Sequence, residues 1–211
     1  MEKKEKALIV LSRLKKNYFV KITALNFRNP FELLAATILS AQCTDKRVNI
    51  VTKSLFEKYR SVKDFASVKQ SALEKDVFST GFYRNKAKNI IASAKIILEK
   101  HGGKVPRTMK ELVELPGVAR KTANIVLSSG FGIVEGMAVD THVKRLSFRI
   151  GLTQHKDPQK IEKDLMEIVP RKDWNKFSLL LIQHGREICS ARKPNCAGCF
   201  LNDLCGSAFK V

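Results

Sequence analysis

The chain has 211 residues, 44% of them hydrophobic, which is enough to bury the core of one large or two small domains. Its 39 lysines and arginines outnumber 20 acidic residues, and the formal net charge of +19 favours a polyanionic partner such as nucleic acid. The basic residues are spread along the whole chain, and no apolar run is long enough for a signal peptide or a membrane span. We therefore expect an intracellular protein that does not bind membranes.

The first forty residues show the apolar period of helices. The first predicted helix spans residues 2–16, with its apolar face at Ala7, Val10, Leu11 and Leu14. A second helix opens at Asn29-Pro30, which have the residue types of an N-cap and a first helical position, and runs to Leu39. The polar stretch 40–45, which contains Gln42, breaks the pattern and predicts a loop between buried helices.

A glycine-containing turn precedes the longest predicted helix. Residues 61–78 are weakly patterned, and Gly81-Phe82-Tyr83 then predicts a turn. The helix that follows ends at Gly102-Gly103. Phe82 is an apolar side chain on an exposed turn, so it either covers the end of this helix or contacts a partner.

Residues 109–130 predict two short helices joined by a tight turn. Thr108 and Glu111 have the spacing of a capping box, Pro116-Gly117 marks the turn, and Gly130 ends the second helix. The glycine lets the main chain approach a ligand, and the start of the second helix presents backbone N–H groups and a positive dipole end. This arrangement suits a phosphate.

Two residues near this turn have the chemistry of a catalytic pair. Lys121 falls in the first turn of the second helix, where the dipole and Arg120 oppose a positive charge and favour a neutral, nucleophilic amine. Asp140 precedes the next apolar-periodic run and is a predicted N-cap, a role that uses only one carboxylate oxygen. A solvated lysine and a purely structural cap are the simpler interpretations.

The remaining pattern is helical as well. Asp157-Pro158 opens one helix and Asp173 opens another, and we find neither a convincing strand nor an internal repeat. The sequence therefore predicts an all-α protein.

Four of the five cysteines lie close together near the end of the chain. They have the spacing C-x6-C-x2-C-x5-C and are Cys189, Cys196, Cys199 and Cys205. In a reducing compartment, four such cysteines indicate a metal site rather than disulfides. Zinc and an iron-sulfur cluster both accept four thiolates, so the donor set alone leaves both open. The fifth cysteine, Cys43, is predicted to be a small apolar side chain.

Three of these motifs together resemble the endonuclease III family of DNA glycosylases in the helix-hairpin-helix superfamily. They are LPGVARKTAN from residue 115, VDTHV from residue 139, and the cysteine pattern; LSAQCTD from residue 39 resembles a further family signature. The resemblance implies a base-excision enzyme for duplex DNA, with damaged, oxidised pyrimidines as its substrates and with abasic-site lyase activity. It also implies that Lys121 is the nucleophile, that Asp140 is the essential carboxylate, and that the four cysteines hold a 4Fe-4S cluster.

The resemblance further implies two helical lobes with a DNA cleft between them. Residues 23–133 would form a helical barrel containing the helix-hairpin-helix at about 109–130. The other lobe would combine residues 1–22 with residues 134–211, and would carry the cluster in a loop at 189–205.

DNA contacts are implied in the same way, with two departures from the family pattern. Gln42 would fill the gap left by the flipped nucleotide, and position 82, usually an aliphatic wedge, is Phe82 here. The hairpin usually reads Gly-Val-Gly, and Ala119 replaces its second glycine, which we expect to crowd the phosphate contact slightly. The other predicted contacts lie in the hairpin, beside Asp140 and in the basic cluster loop: Gly117, Val118, Arg120, His142, Arg192 and Lys193.

Three alternative functions remain open at this point. A thymine or uracil mismatch glycosylase of the same superfamily would differ in its pocket residues, and a non-catalytic helix-hairpin-helix DNA-binding module would need neither Lys121 nor Asp140. Adenine-mismatch glycosylases typically lack a lysine at position 121 and carry a C-terminal recognition domain, whereas this chain ends six residues after Cys205. We expect a monomer, and we expect His184 to be a hydrogen-bonded core residue.

Overall fold

The structure is a computed structural model that describes residues 1–19 and 23–210. Every regular element in these two ranges is helical, so the predicted all-α class is confirmed. None of their helices is both long and apolar enough to cross a membrane. The chain divides into two units, one of Thr23–Glu135 and one that combines Met1–Ile22 with Gly136–Val211. The predicted lobe boundary after residue 22 falls on residues that lie outside the described ranges.

The described part of the chain contains longer helices and several short helical turns. In chain order the helices are α1 (Lys3–Asn17), α2 (Pro30–Leu39), α3 (Asp45–Lys58), α4 (Val62–Ser67), α5 (Gln70–Val77), α6 (Tyr83–His101), α7 (Met109–Leu112), α8 (Arg120–Ile125), α9 (Thr141–Ile150), α10 (Pro158–Ile168) and α11 (Trp174–Glu187). Single 3-10 turns cover Phe78–Thr80, Arg171–Asp173 and Asn202–Leu204. A π-helical turn, Val126–Gly130, continues α8.

Side-chain caps fix where several helices begin. Asn29, Thr108 and Asp157 each accept hydrogen bonds from backbone N–H groups in the first turn of α2, α7 and α10. Asp173 precedes α11 as predicted but does not cap it, because its backbone is already helical, with a φ of −104° and a ψ of −3°. Its carboxylate instead accepts from Lys15 Nζ at 2.6 Å.

The weakly patterned residues 61–78 contain two helices that the apolar pattern did not predict. Ser61 and Asp64 form a capping box at the start of α4, with each side chain bonded to the other residue's backbone N–H. Phe65 anchors α4, because its ring is only 1% exposed and lies 5.2 Å from the rings of Phe31 and Tyr59.

The α6 helix organises the core of the Thr23–Glu135 unit. It packs against α2, α4 and α5, and its buried apolar face is Ala87, Ile90, Ile91, Ala94 and Ile97. Each fully buried isoleucine contributes about 2 kcal/mol to folding relative to an exposed one. Because this burial anchors α6, the residues at both ends of the helix are held in place as well.

The other unit has a separate core. The four predicted apolar residues of α1 are all buried, and α1 packs against α10 and α11. The apolar pattern of α9 predicts a buried face of Val143, Leu146, Phe148 and Ile150, but Phe148 is 50% exposed, whereas the other three are buried. Phe148 lies two residues from Leu146, which places it about 200° around the helix and away from the core.

Candidate active site and cluster loop

The hairpin between α7 and α8 is a tight turn centred on Pro116 and Gly117. The N–H of Val118 donates to the carbonyl of Leu115 at 3.1 Å, and Gly117 has a φ of +80°. Proline followed by a residue of positive φ is the pattern of a type II turn, and only glycine takes that second position without strain.

Buried side chains and contacts with α6 hold this turn in place. Leu115 and Val118 are 2% and 5% exposed, and Ser93 Oγ of α6 donates to the carbonyl of Pro116 at 3.0 Å. A Cβ atom on Gly117 would lie 2.7 Å from Nδ2 of Asn89, so the turn lies directly against α6. Val118, named above among the DNA contacts, therefore has its side chain in the core and its N–H inside the turn.

The outer side of the hairpin leads into α8. Gly117 and Ala119 are exposed, and Ala119 has a φ of −83°, an unstrained value for alanine at a helix N-cap. Lys121 is exposed in the first turn of α8 and makes no ion pair with any carboxylate of residues 23–135. Its amine is therefore accessible to a ligand, and no carboxylate of its own unit pairs with it.

Gln42 and Phe82 both lie on turns with left-handed backbone. Their φ values are +53° and +47°, and elsewhere in the described ranges only Phe209 is a non-glycine residue with positive φ. Gln42 is exposed, and 65% of Phe82 is exposed. A left-handed conformation costs such residues about 1 kcal/mol or more and persists only where surrounding contacts impose it.

Asp140 caps α9, as predicted. Its Oδ1 accepts from the N–H of His142 at 2.8 Å and from that of Val143 at 2.9 Å, so the cap does not use Oδ2. His142 is half-buried with its Nδ1 3.1 Å from Nη2 of Arg145, and desolvation lowers the pKa of the imidazole. The imidazole beside Asp140 is therefore neutral at physiological pH.

The four C-terminal cysteines surround one small cavity. Cys189, Cys196, Cys199 and Cys205 all line this one space. Within the two described ranges, no three His, Cys, Asp or Glu side chains are grouped so as to hold a metal ion by themselves. Four thiols around a cavity fit a cluster with several metal atoms better than one zinc ion.

The surroundings of the sulfurs also suit thiolate ligands. Arg149 Nη1 lies 3.3 Å from Sγ of Cys189, and the N–H of Leu201 lies 3.4 Å from Sγ of Cys199. Such donors stabilise negative charge on sulfur. Burial raises the pKa of the Cys199 and Cys205 thiols, and coordination to iron removes their protons regardless. The chemistry of this donor set therefore fits an iron-sulfur cluster.

Two arginines of α9 bind the beginning of the cluster loop. Arg145 donates to the carbonyls of Gly185 and Cys189, and Arg149 donates to those of Ser190 and Ala191. Their i, i+4 spacing places both on one face of the helix that Asp140 caps. Sequence reasoning did not identify this pair, although two arginines one turn apart on an amphipathic helix are a visible signal.

His184 is a hydrogen-bonded core histidine, as predicted. It is 2% exposed, its Nδ1 lies 2.9 Å from the hydroxyl of Tyr18, and its Nε2 lies 3.3 Å from Sγ of Cys199. Burial lowers the pKa of His184 to about 4, so the ring is neutral at physiological pH. A neutral ring provides one donor and one acceptor for its two neighbours.

The basic segment of the cluster loop faces solvent. Arg192 and Lys193 are exposed, and the Ser190 hydroxyl closes the turn around them by donating to the carbonyl of Lys193 at 2.6 Å. The loop thus presents two exposed cations on a hydrogen-bonded turn, which suits phosphate contacts.

Comparison with known proteins adds independent information. Residues 35–171 match the model of the HhH-GPD superfamily of base excision DNA repair proteins, and residues 189–205 match the iron-sulfur binding domain of endonuclease III. The chain is 52% identical to endonuclease III of Synechocystis over 98% of this chain and 94% of the relative. It is 53% identical to endonuclease III of Bacillus subtilis over 84% of this chain and 81% of that one.

A solved structure of similar fold agrees with these relatives. A trapped endonuclease III–DNA covalent intermediate has a TM-score of 0.92 and 45% identity, over 99% of this chain and 98% of that chain. Together with the relatives, the match to the iron-sulfur domain identifies the cofactor as a 4Fe-4S cluster. The chain therefore belongs to the HhH-GPD superfamily of base excision DNA repair proteins and, within it, to the endonuclease III family of DNA glycosylases and AP lyases.

Proposed function

We propose that Lys121 and Asp140 are the catalytic residues of this bifunctional DNA glycosylase and AP lyase, which removes damaged, oxidised pyrimidines from duplex DNA. The observation that supports this proposal most directly is the position of Lys121. Its exposed amine follows directly after a hairpin whose shape is fixed by buried side chains and by α6, at the lysine of the family motif. A nucleophile on a rigid element is held ready for attack.

The proposed chemistry is nucleophilic substitution followed by elimination. The lone pair of the Lys121 amine forms a bond to C1′ of the flipped nucleotide, and the C1′–N bond to the base breaks, so the base leaves with that electron pair and gains a proton. The amine gives one proton to the departing base and the other to O4′ as the bond from C1′ to O4′ breaks, so the opened sugar is joined to Lys121 as a Schiff base. Removal of a proton from C2′ then breaks the bond from C3′ to its oxygen and cleaves the strand on the 3′ side. Water finally hydrolyses the Schiff base and frees the lysine.

Asp140 is proposed to act through its second carboxylate oxygen. The α9 cap uses Oδ1, which fixes the carboxylate and leaves Oδ2 to stabilise positive charge on the sugar or to accept a proton from the attacking amine. Direct contact with Lys121 would stabilise the ammonium form and oppose attack. The two groups are therefore proposed to converge on the sugar rather than on each other.

DNA binding is proposed to use exposed groups on both units. Gln42 would face the base left without its partner, because its amide both donates and accepts, and Phe82 would enter the base stack. The exposed backbone from Gly117 to Ala119, which Val118 anchors from the core, would contact phosphate together with Arg120. His142 would lie close to the sugar beside Asp140, and Arg192 and Lys193 would contact phosphates.

The four loop cysteines are proposed to hold the 4Fe-4S cluster: Cys189, Cys196, Cys199 and Cys205. When bound, the cluster supplies a covalent cross-link that fixes the loop. Since one chain carries both proposed catalytic residues, we propose that the protein acts as a monomer on damaged DNA, in the compartment that contains the chromosome.

Strand cleavage by a Lys121→Gln variant tests the proposal. On a duplex with one oxidised pyrimidine or abasic site, this variant should lose strand cleavage by on the order of 10⁴-fold or more, because the nucleophile is gone. Its affinity for the same duplex should stay within a few-fold. Lys100→Gln removes the same charge from an exposed position at the end of α6 and should cleave at the wild-type rate. Near-normal cleavage by Lys121→Gln would reject the proposal.

The mismatch glycosylase and the non-catalytic module are not favoured by the comparisons. The similar curated relatives described above are endonuclease III proteins that match 84% to 98% of this chain. A panel of duplexes with single oxidised pyrimidines, uracil or thymine mismatches distinguishes the candidates, and the oxidised pyrimidines should be excised fastest.

A further inference from the structure

A buried lysine near the start of α6 has no role in the mechanism above. Lys86 is 4% exposed, which is rare for a lysine unless its charge is paired or hydrogen-bonded. It lies in the first turns of α6, where the helix dipole disfavours a positive charge. Desolvation lowers the pKa of its amine. A buried amine of this kind needs hydrogen-bond partners that offset the cost of its burial.

Its partners are two backbone carbonyls from different segments of the chain. Nζ of Lys86 donates to the carbonyl of Leu39 at 2.8 Å and to the carbonyl of Thr80 at 2.7 Å. Leu39 is the last residue of α2, and Thr80 ends the short turn before α6. Without the amine, both carbonyls would lose a hydrogen bond in a buried environment.

Each carbonyl lies directly before one of the strained turns. Gln42 follows Leu39 by three residues and Phe82 follows Thr80 by two, and both have positive φ. Such conformations need contacts that over-determine them. One amine thus fixes the chain at the base of both turns and links them to each other.

The same helix also positions the hairpin. Asn89 lies against Gly117 and Ser93 donates to the carbonyl of Pro116. With Lys86 they have the spacing i, i+3, i+7, so the three side chains share one face of α6. This face therefore contacts the base of the Gln42 turn, the base of the Phe82 turn and the hairpin itself.

We infer that Lys86 is a positioning residue that holds the Gln42 and Phe82 turns at a fixed separation, so that the two side chains enter the duplex as one rigid unit. The inference rests on the proposed function, because it takes Gln42 and Phe82 as the inserted residues. It assigns no chemistry to Lys86, whose amine is buried and hydrogen-bonded.

The test compares borohydride trapping on two abasic substrates, a fully paired duplex and a duplex whose abasic site lies in a bubble of unpaired bases. Lys86→Met keeps the length of the side chain and removes the amine. It should slow trapping on the paired duplex by about 10- to 100-fold, because misplaced insertion no longer opens the stack. Trapping on the bubble should stay within about twofold of wild type, since that substrate is already open.

Matched variants separate positioning from general stability. Lys95→Met removes a charge from an exposed position on α6 and should change neither rate. Lys86→Arg, which keeps a buried donor, should recover most of the rate on paired DNA. In a Gln42→Ala, Phe82→Ala background, Lys86→Met should add no further loss, because the residues it positions are gone. If Lys86→Met does not fold, as judged by thermal melting, Lys86→Gln replaces it. Its amide is one bond shorter than the lysine amine and cannot reach both carbonyls, so it should still slow trapping on the paired duplex but not on the bubble.

The outcomes distinguish this inference from the proposed function. Equal slowing on both substrates, or no slowing on either, would overturn the role of Lys86 while leaving Lys121 as the nucleophile. An absence of any trapped adduct with the wild-type protein would instead reject the proposed function itself. Fluorescence of 2-aminopurine placed opposite the abasic site gives a second readout, and its increase on binding should be smaller with Lys86→Met.

Discussion

The hairpin of residues 115–121 and the cluster loop of residues 189–205 reach fixed shapes by different means. Apolar packing holds the hairpin: Leu115 and Val118 are buried, and α6 lies directly beneath Gly117. In the cluster loop, every residue from 189 to 200 is at least partly exposed, and arginine bonds to carbonyls hold its beginning.

This difference separates what the chain can build alone from what needs a cofactor. Buried side chains and one glycine define the hairpin as soon as its unit folds. Leu201 and Leu204 near the end of the loop are buried, but residues 189–200 bury too little apolar surface to offset the entropy of ordering their backbone. We therefore expect the shape of this part to depend on the bonds from the four proposed thiolate ligands. We therefore expect changes at the two regions to have effects of different kinds.

Loss of one cluster ligand should give the largest effect. Cys199→Ser should abolish the visible absorbance of the cluster, and hydrogen exchange in residues 189–205 should become fast, because the loop loses its cross-link. Amides of the hairpin should keep their protection. Cys43→Ser, a matched change outside the loop, should keep the full absorbance. Slow exchange in the loop of a cluster-free Cys199→Ser protein would contradict the comparison.

Asp140→Asn should give the next largest effect, on activity and not on folding. The amide oxygen of asparagine can still cap α9, so the free energy of unfolding should change by only about 0.5 kcal/mol. Loss of the charge should reduce excision by about 10²- to 10³-fold, as measured by single-turnover cleavage. Asp157→Asn is the matched control, since Asp157 caps α10 with the same Oδ1 pattern. Equal activities of the two variants would make Asp140 a cap and nothing more.

Gly117→Ala should give the smallest of these effects and tests whether packing defines the hairpin. The substitution adds a Cβ at positive φ and 2.7 Å from Nδ2 of Asn89, so it should destabilise the protein by about 2 to 3 kcal/mol in urea unfolding. Gly102 also has a positive φ, +58°, but a Cβ there would have no neighbour within 4 Å. Gly102→Ala should therefore lower the free energy of unfolding by only about 1 kcal/mol. If the two variants lost equal stability, the contact with α6 would not matter.

Local signals in the sequence predicted much of this fold. Asn29, Thr108 and Asp157 predicted helix starts because a cap depends on residues within one turn of each other. The helix start after Asp173 was predicted correctly as well, but its carboxylate makes an ion pair with Lys15, a residue distant in sequence, and does not cap the helix. The apolar pattern also could not predict the π-helical turn Val126–Gly130, because the apolar spacing of such a turn is close to that of an α-helix.

The candidate site divides in the same way. The turn at Gly117, the cap at Asp140 and the clustered cysteines were predictable because their residue types are distinctive at short spacing. The partners of Lys86 and Arg149 were not, since Lys86 reaches the carbonyl of Leu39 and Arg149 that of Ser190, both remote in sequence. One is a buried lysine among many exposed ones, and only the three-dimensional structure distinguishes it.

The most direct measurement is the site of covalent attachment between the protein and abasic DNA. The wild-type protein is mixed with an abasic duplex, reduced with borohydride, digested with protease and nuclease, and analysed by mass spectrometry. We expect a reduced sugar remnant on the side chain of Lys121. A remnant on any other lysine, or no attachment at all, would contradict it.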